Sequence, residues 1–355
     1  MTAPGLAQAP QMKLFVTDNT NTDLAQWDRE LIALGGHVFH SAIWARYTAA
    51  DSPGSVPRFF QLRTDGGELR GCALGFELRS SRPLMRALTG RLWFDALPVV
   101  REAGDLRPFL GLLEEHACRS GAVELLLGSF ASPDAGPLLE ELEFDLIRRF
   151  EFEFAMDVSE EQIFQALEYT RRKNIGKASR SGVSIQELSG LDAIRILRRM
   201  QSESGKRVLA RGGPAFAEHS DPANDPVRIL LEGKAARVLA GMVSGEPASA
   251  GLFACWNGLV YYMLSGHSAQ GLKAQAPTLM LWEAIRSFRR EGARRFNLGG
   301  CGAEAVEPDS PEHGVYMYKK GFGTNCLTCT SGRKVLRQTA SKLVGMLRSA
   351  LQREV

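Results

Sequence analysis

Two stretches of this chain repeat one pattern, and the repeat restricts its fold more than any other feature. LRPFLGLLEEHACRSGAVELLLGS (106–129) and APTLMLWEAIRSFRREGARRFNLGG (276–300) each read as amphipathic helix, Gly-Ala, apolar strand and Leu-Gly. Gly121-Ala122 to Leu127-Gly128 has the same spacing as Gly292-Ala293 to Leu298-Gly299. In the second copy Leu281, Ile285 and Phe288 recur at i, i+4 and i+7, Arg289 and Arg290 fall where the helix dipole favours cations, and Gly292 ends the helix. Strands precede each copy: a hairpin over 59–63 and 69–79 around Asp65-Gly66-Gly67, and a meander over 238–243, 250–256 and 259–265. A duplicated α/β unit therefore accounts for the 355 residues.

The remaining elements fit around this duplication. An Ala/Pro-rich segment over 1–11 reads as disordered, 12–150 as a first domain and 151–330 as a second domain carrying the site. Residues 331–355 read as a basic amphipathic helix, with Val335, Leu336, Leu343, Val344, Leu347 and Leu351 as its stripe. It would pack on the protein itself or lie on an anionic membrane surface. Strands are expected over 12–16, 92–100, 146–158 and 183–188, and helices over 24–34, 42–50, 137–144 and 191–204. Ser159 with Gln162 is a capping box opening the helical region that includes TRRKNIGKASR, and Asp225 caps a helix to Gly233. Near the end of the second domain, the strand 295–298 is broken by Gly299-Gly300. A mobile segment follows, then a short aromatic strand from His313 to Gly323 carrying Lys319 and Lys320.

Composition narrows the class. With 44% hydrophobic and 23% charged residues the chain has ample core, and a net charge of +3 does not by itself imply nucleic acid. Six cysteines scattered among apolar segments are unlike a disulfide framework, and Cys326-x-x-Cys329 lacks the further ligands that zinc requires. No apolar run is long enough to span a bilayer, and no signal peptide opens the chain, so a cytoplasmic location is expected.

Arg171, Arg172, Lys173, Lys177 and Arg180 place five cations within ten residues, with Lys173, Lys177 and Arg180 on one helical face. Such cations suit phosphate oxygens of tRNA, a nucleotide-linked sugar or a coenzyme, although a solvated helix face has the same pattern. KNIGKA (173–178) nearly fits the pyrophosphate loop of acyl-coenzyme A transferases, but that loop follows a strand and this segment reads as helix. His313 lies beside Gly314, and His267 precedes a loop with Gly271 and Lys273; His37, His40, His116 and His219 show no readable role. No Ser/His/Asp or metal-ligand spacing is present, and Glu304, Glu307, Asp309 and Glu312 read as a solvated loop.

RKNIGKASRSGV (172–183) resembles the R-x-N-I-x-x-A-x-[K/R]-x-G-V signature of the Fem family of non-ribosomal peptidyltransferases. HGVYMYKKGFG (313–323) resembles its closing motif, G-[L/V]-Y-x-[F/Y]-K-x-x-F-G. The resemblance implies an α+β fold of two tandem GNAT-like domains, each a mostly antiparallel mixed sheet flanked by helices. It also implies transfer of an amino acid from aminoacyl-tRNA to an amine of a cell-envelope precursor such as peptidoglycan, with no other cofactor. Carried onto this sequence, it makes Lys319 the stabiliser of the oxyanion or the group that holds the tRNA 3′ end, with Tyr318 and Tyr316 shaping the channel and Phe322 and Lys320 completing the motif. Arg172, Lys177 and Lys273 would contact substrate phosphates, Asn174 would bind substrate beside them, and His313 or the substrate itself would take the amine proton. The chain departs from the family at Gly176, where a basic residue is common, and shows no long helical arm for tRNA. Two alternatives stand beside this reading: an acyl-coenzyme A-dependent N-acyltransferase for an amino sugar, polysaccharide or lipid amine, and a non-catalytic module binding through its basic face.

Overall fold

The structure, a computed structural model, describes residues 11–78, 88–210 and 221–340. The chain divides into two compact units, one comprising Met1–Ala45, Ser52–Ile147 and Ser331–Val355, the other Arg46–Asp51 and Arg148–Thr330.

The first unit runs β1 (Met12–Asp18), α1 (Leu24–Ala33), α2 (Ala42–Asp51), β2 (Ser55–Thr64), β3 (Leu69–Leu78), β4 (Arg91–Phe94), β5 (Val99–Val100), α3 (Leu106–Ser120), β6 (Glu124–Leu127) and α4 (Gly136–Glu141). Asp23 caps α1, its carboxylate accepting the Gln26 N–H at 2.9 Å. Strands β1 to β4 form an antiparallel series, and α3 carries the chain over to β6, which pairs parallel to β4. The single strand expected over 92–100 is two: the chain bends after Phe94, where the Asp95 carboxylate takes the Trp44 indole N–H at 2.8 Å and Pro98 intervenes.

The second unit repeats this order: β7 (Asp145–Ala155), α5 (Glu160–Ala166), α6 (Tyr169–Arg180), β8 (Ser184–Leu188), α7 (Gly190–Leu209), α8 (Val227–Glu232), β9 (Ala236–Val243), β10 (Glu246–Trp256), β11 (Leu259–His267), α9 (Ala269–Ala274), α10 (Ala276–Arg290), β12 (Arg295–Gly302), α11 (His313–Lys320) and β13 (Asn325–Val335). Strands β8 to β11 are antiparallel, α10 is the crossover, and β12 lies parallel to β11 with β7 antiparallel on its other side. The sequence echo is thus one topological unit used twice, β1-β2-β3-β4-β6 matching β8-β9-β10-β11-β12.

Two further expectations are overturned. Residues 313–320 form a helix, not a strand. Tyr316 and Tyr318 alternate as in a strand, but Tyr318 packs on Phe322 four residues on, ring centroids 5.3 Å apart, which is a helical neighbour. Residues 331–335 are also strand, not helix: Gly332 to Val335 pair antiparallel with Leu127 to Glu124, so the returning chain completes the first unit's sheet. The part of the expected C-terminal helix beyond residue 340 lies outside the described residues, as do 1–10 and His219.

Helix α10 anchors the second core. Met280, Leu281, Ile285 and Phe288 are buried on it, each burial contributing roughly 1.5–3 kcal/mol. Phe288 lies 5.8 Å from the Phe253 ring and 6.1 Å from Phe296, with the Arg237 guanidinium 4.7 Å over its face. Replacing Phe288 by Ala is expected to cost about 3–5 kcal/mol through the cavity it leaves, measured as a lowered urea midpoint for the second unit.

Candidate active site

The site is built where β12 changes partners. Parallel pairing of β11 with β12 stops at Tyr261↔Asn297, although the strands continue to His267 and Gly302. On the other side, pairing with β7 skips between Asn297 and Gly300, the mark of a bulge. Both glycines of the bulge are required. Gly299 has φ +69°, and a Cβ there would lie 2.9 Å from the Tyr262 carbonyl oxygen. A Cβ on Gly300 would stand 2.2 Å from the Phe150 carbonyl oxygen.

Lys319, on the last turn of α11, reaches this bulge and donates from Nζ to the Gly300 carbonyl at 2.9 Å. Burial pushes its pKa down to about 8; Cys301, Glu151 and Glu312 pull it up, while Arg149 adds to the depression. Beneath the bulge is a buried polar cluster. Glu151 and Asn297 are fully buried, and the Glu151 carboxylate accepts from Arg149 Nη1 at 2.8 Å, the Tyr261 hydroxyl at 2.7 Å and Asn297 Nδ2 at 2.7 Å.

The other residues singled out in the sequence fall into two groups. Around α11, burial pushes the Tyr318 hydroxyl pKa up to about 12, with the Thr278 side chain and then Arg171 acting against it. Arg171 lies 4.6 Å over the Tyr318 ring, and Phe322 is wholly buried beneath that ring. Tyr316 packs edge-on to Phe152 at 5.6 Å with Lys320 5.6 Å over its face. His313 donates from Nδ1 to the Ala305 carbonyl at 3.1 Å, the direction a carbonyl acceptor imposes, and stacks on Tyr316. In a helix, His313 and Lys319 lie about 120° apart around the axis, so they face different sides.

The second group lies on α6 and α9. Arg172 donates to the Gln165 and Leu167 carbonyls at 2.8 and 2.5 Å, tying α6 to the turn before it. Asn174 is half-buried, and Lys173, Lys177 and Lys273 are exposed. Among the described residues none of these three lysines, nor Arg180, makes an ion pair, whereas Arg286, Arg290 and Arg295 are matched by Glu160 and Glu153. His267 is held neutral, its pKa pushed down to about 4 by burial and then by Arg207.

Sequence reasoning missed Glu151, Asn297, Tyr261 and Arg149. The alternation of Phe150, Phe152 and Phe154 with Glu151 and Glu153 was the available signal, but it marks a polar face without showing that the face is covered. The covering residues come from β11 and β12, more than a hundred positions away.

The start of the crossover helix in the second unit is closed. In α10, Pro277 has no N–H, the Thr278 and Leu279 N–H groups donate to the Gln275 carbonyl at 3.1 and 3.2 Å, and residues 276–279 are buried. Ahead of α3, the buried Asp105 carboxylate turns away from the helix: it pairs with Arg70 at 3.1 Å, accepts the Glu102 N–H at 3.2 Å and caps none of the helix N–H groups.

An open sheet with a parallel pair parting beside a crossover helix defines the class, and a family model described as an acetyltransferase (GNAT) domain matches residues 169–320. The second unit therefore has the GNAT fold. Across both units the chain has a FemAB-like GNAT fold: it is similar to FemX at a TM-score of 0.69 and 14% identity, covering 89% of this chain and 98% of that one. It is also similar to a conserved protein of unknown function from Bacteroides thetaiotaomicron (TM-score 0.55, 11% identity, 91% of this chain and 100% of that one). A third likeness is to the C-terminal domain of a putative lysylphosphatidylglycerol synthetase from Agrobacterium fabrum (0.51, 12%, 90% and 94%). No curated protein sequence matches the chain. None of the described helices is long and apolar enough to cross a membrane.

A buried lysine with a lowered pKa disfavours the folded state most while it is charged in both states. The folded protein is therefore expected to gain stability from Lys319 as pH rises from about 8 towards the ordinary lysine value of 10.5. The stability difference between wild type and Lys319→Met, read from urea unfolding at steps between pH 7 and 10, should shift in favour of wild type across that window.

Proposed function

We propose that the chain transfers an aminoacyl group from its ester on tRNA to an amine of a cell-envelope precursor, with peptidoglycan precursors as the acceptor class. The observation that carries this reading over acyl-coenzyme A is the state of the α10 crossover helix in the second unit. A coenzyme diphosphate binds to open N–H groups at such a helix start. Here Pro277 has no N–H, those of Thr278 and Leu279 are bonded to the Gln275 carbonyl, and residues 276–279 are buried. A donor gripped from its far side by exposed cations does not need that cradle, and the unpaired Lys173, Lys177 and Arg180 suit the phosphates of an RNA strand.

In this reading the acceptor amine attacks the ester carbonyl carbon, the new C–N bond forms, and the carbonyl electrons move onto oxygen. The Lys319 ammonium supports that oxyanion in a site of low dielectric. Collapse breaks the ester C–O bond, and the ribose oxygen leaves and takes a proton. His313 faces away from Lys319, so the amine proton goes to the substrate or to solvent and His313 acts in packing. Tyr316 and Tyr318 shape the channel, and no protein nucleophile is needed.

The test is transfer and binding with charged tRNA, a UDP-muramyl peptide and acetyl-coenzyme A, each assayed separately and in pairs. Transfer dependent on charged tRNA, reduced about 10²–10³-fold in Lys319→Ala, is the expected result. Saturable acetyl-coenzyme A binding with coenzyme-dependent transfer, and tRNA inert, would sink the proposal in favour of an N-acyltransferase.

A further inference from the structure

A continuous chain of short contacts leads from a carboxylate without access to water to the ammonium of Lys319. Glu151 Oε2 accepts from Asn297 Nδ2 at 2.7 Å, and the same amide turns its Oδ1 to the Gly299 N–H, also at 2.7 Å. Both bonds demand one orientation of the Asn297 amide, so the carboxylate fixes the side chain and the side chain fixes the bulge. The next residue, Gly300, presents its carbonyl to Lys319 Nζ at 2.9 Å. Tyr261 and Arg149 hold the other carboxylate oxygen, at 2.7 and 2.8 Å, so the carboxylate cannot turn away from Asn297.

We propose that Glu151 and Asn297 are positioning residues for Lys319: together they hold the β12 bulge so that the Gly300 carbonyl fixes the ammonium in the site. The role of Lys319 itself rests on the function proposed above, but the positioning does not. A purely structural carboxylate would satisfy its donors and stop there. This one is linked through a single side chain to the backbone group that grips the lysine, and its charge reaches Lys319 through space as well.

The charged and titratable groups facing Lys319 are Arg149 and Glu151 on β7, Cys301 on β12 and Glu312 ahead of α11, and among them Glu151 favours the ammonium while Arg149 opposes it. Two substitutions probe the charge and the linkage. Glu151→Gln removes the charge and sets an amide NH2 against either Asn297 Nδ2 or the Arg149 and Tyr261 donors; Asn297→Ala keeps the charge and breaks the link to Gly299.

The measurement is competitive labelling of lysines with acetic anhydride between pH 6 and about 11, read by peptide mass spectrometry, with exposed Lys320 as the reference inside the same protein. In Glu151→Gln the titration midpoint of Lys319 should fall below the wild-type value while that of Lys320 stays put. In Asn297→Ala the titration midpoint of Lys319 should rise towards that of a solvated lysine while that of Lys320 stays put. Unchanged Lys319 midpoints in variants that keep the wild-type melting transition would overturn the proposal. If Glu151→Gln fails to fold, Asn297→Ala decides alone. No donor or acceptor is present in this experiment, so its outcome is independent of whether the transfer reaction is found.

Discussion

A carboxylate at zero exposure has to be answered by donors, and in this protein the answer to Glu151 ties together three strands of the second unit. Three strands contribute: β7 brings the acid and Arg149, β11 brings Tyr261, and β12 brings Asn297. These strands must stay in register for the cluster to close, yet β12 must also bulge to let a lysine approach. The paired glycines reconcile the two demands. One accepts a left-handed backbone, and the other lets Phe150 and Arg149 come closer than any side chain would permit.

The duplicated unit shows how one topology is adapted twice. Each half has a parallel strand pair joined by a helix, the arrangement in which ligands commonly meet a helix start. In the first unit the buried Asp105 carboxylate beside that start turns back to Arg70 and the Glu102 N–H. In the second, residues 276–279 at that start are buried, and the preceding α9 packs on β10 so tightly that a Cβ on Gly271 would lie 2.1 Å from the Ala248 carbonyl oxygen.

The duplication, the crossover helices and the strands before them were legible because each is a contiguous stretch with its own period. Lys319 and its aromatic neighbours were legible as a motif, but their backbone was not: VYMY satisfies a period of two, and only the contact of Tyr318 with Phe322 reveals the helical one. The buried cluster was illegible for a different reason. Nothing local tells Glu151 from a solvated strand acid such as one on an edge, because its burial is conferred by residues from two distant strands. The strand at 331–335 was misread likewise, since its partner β6 lies some two hundred positions earlier.

That returning strand has a consequence for the order in which the molecule can be made. The sheet of the first unit ends at β6 until residues 332–335 arrive, and those residues are synthesised only after the whole of the second unit. During translation the first unit waits with an unpaired edge, Leu125 and Leu127 among its residues, while the later half is completed. The final stretch of chain thus acts as a latch on the earliest one, and a fragment cut at Ile147 would be a sheet lacking its last strand rather than a free-standing domain.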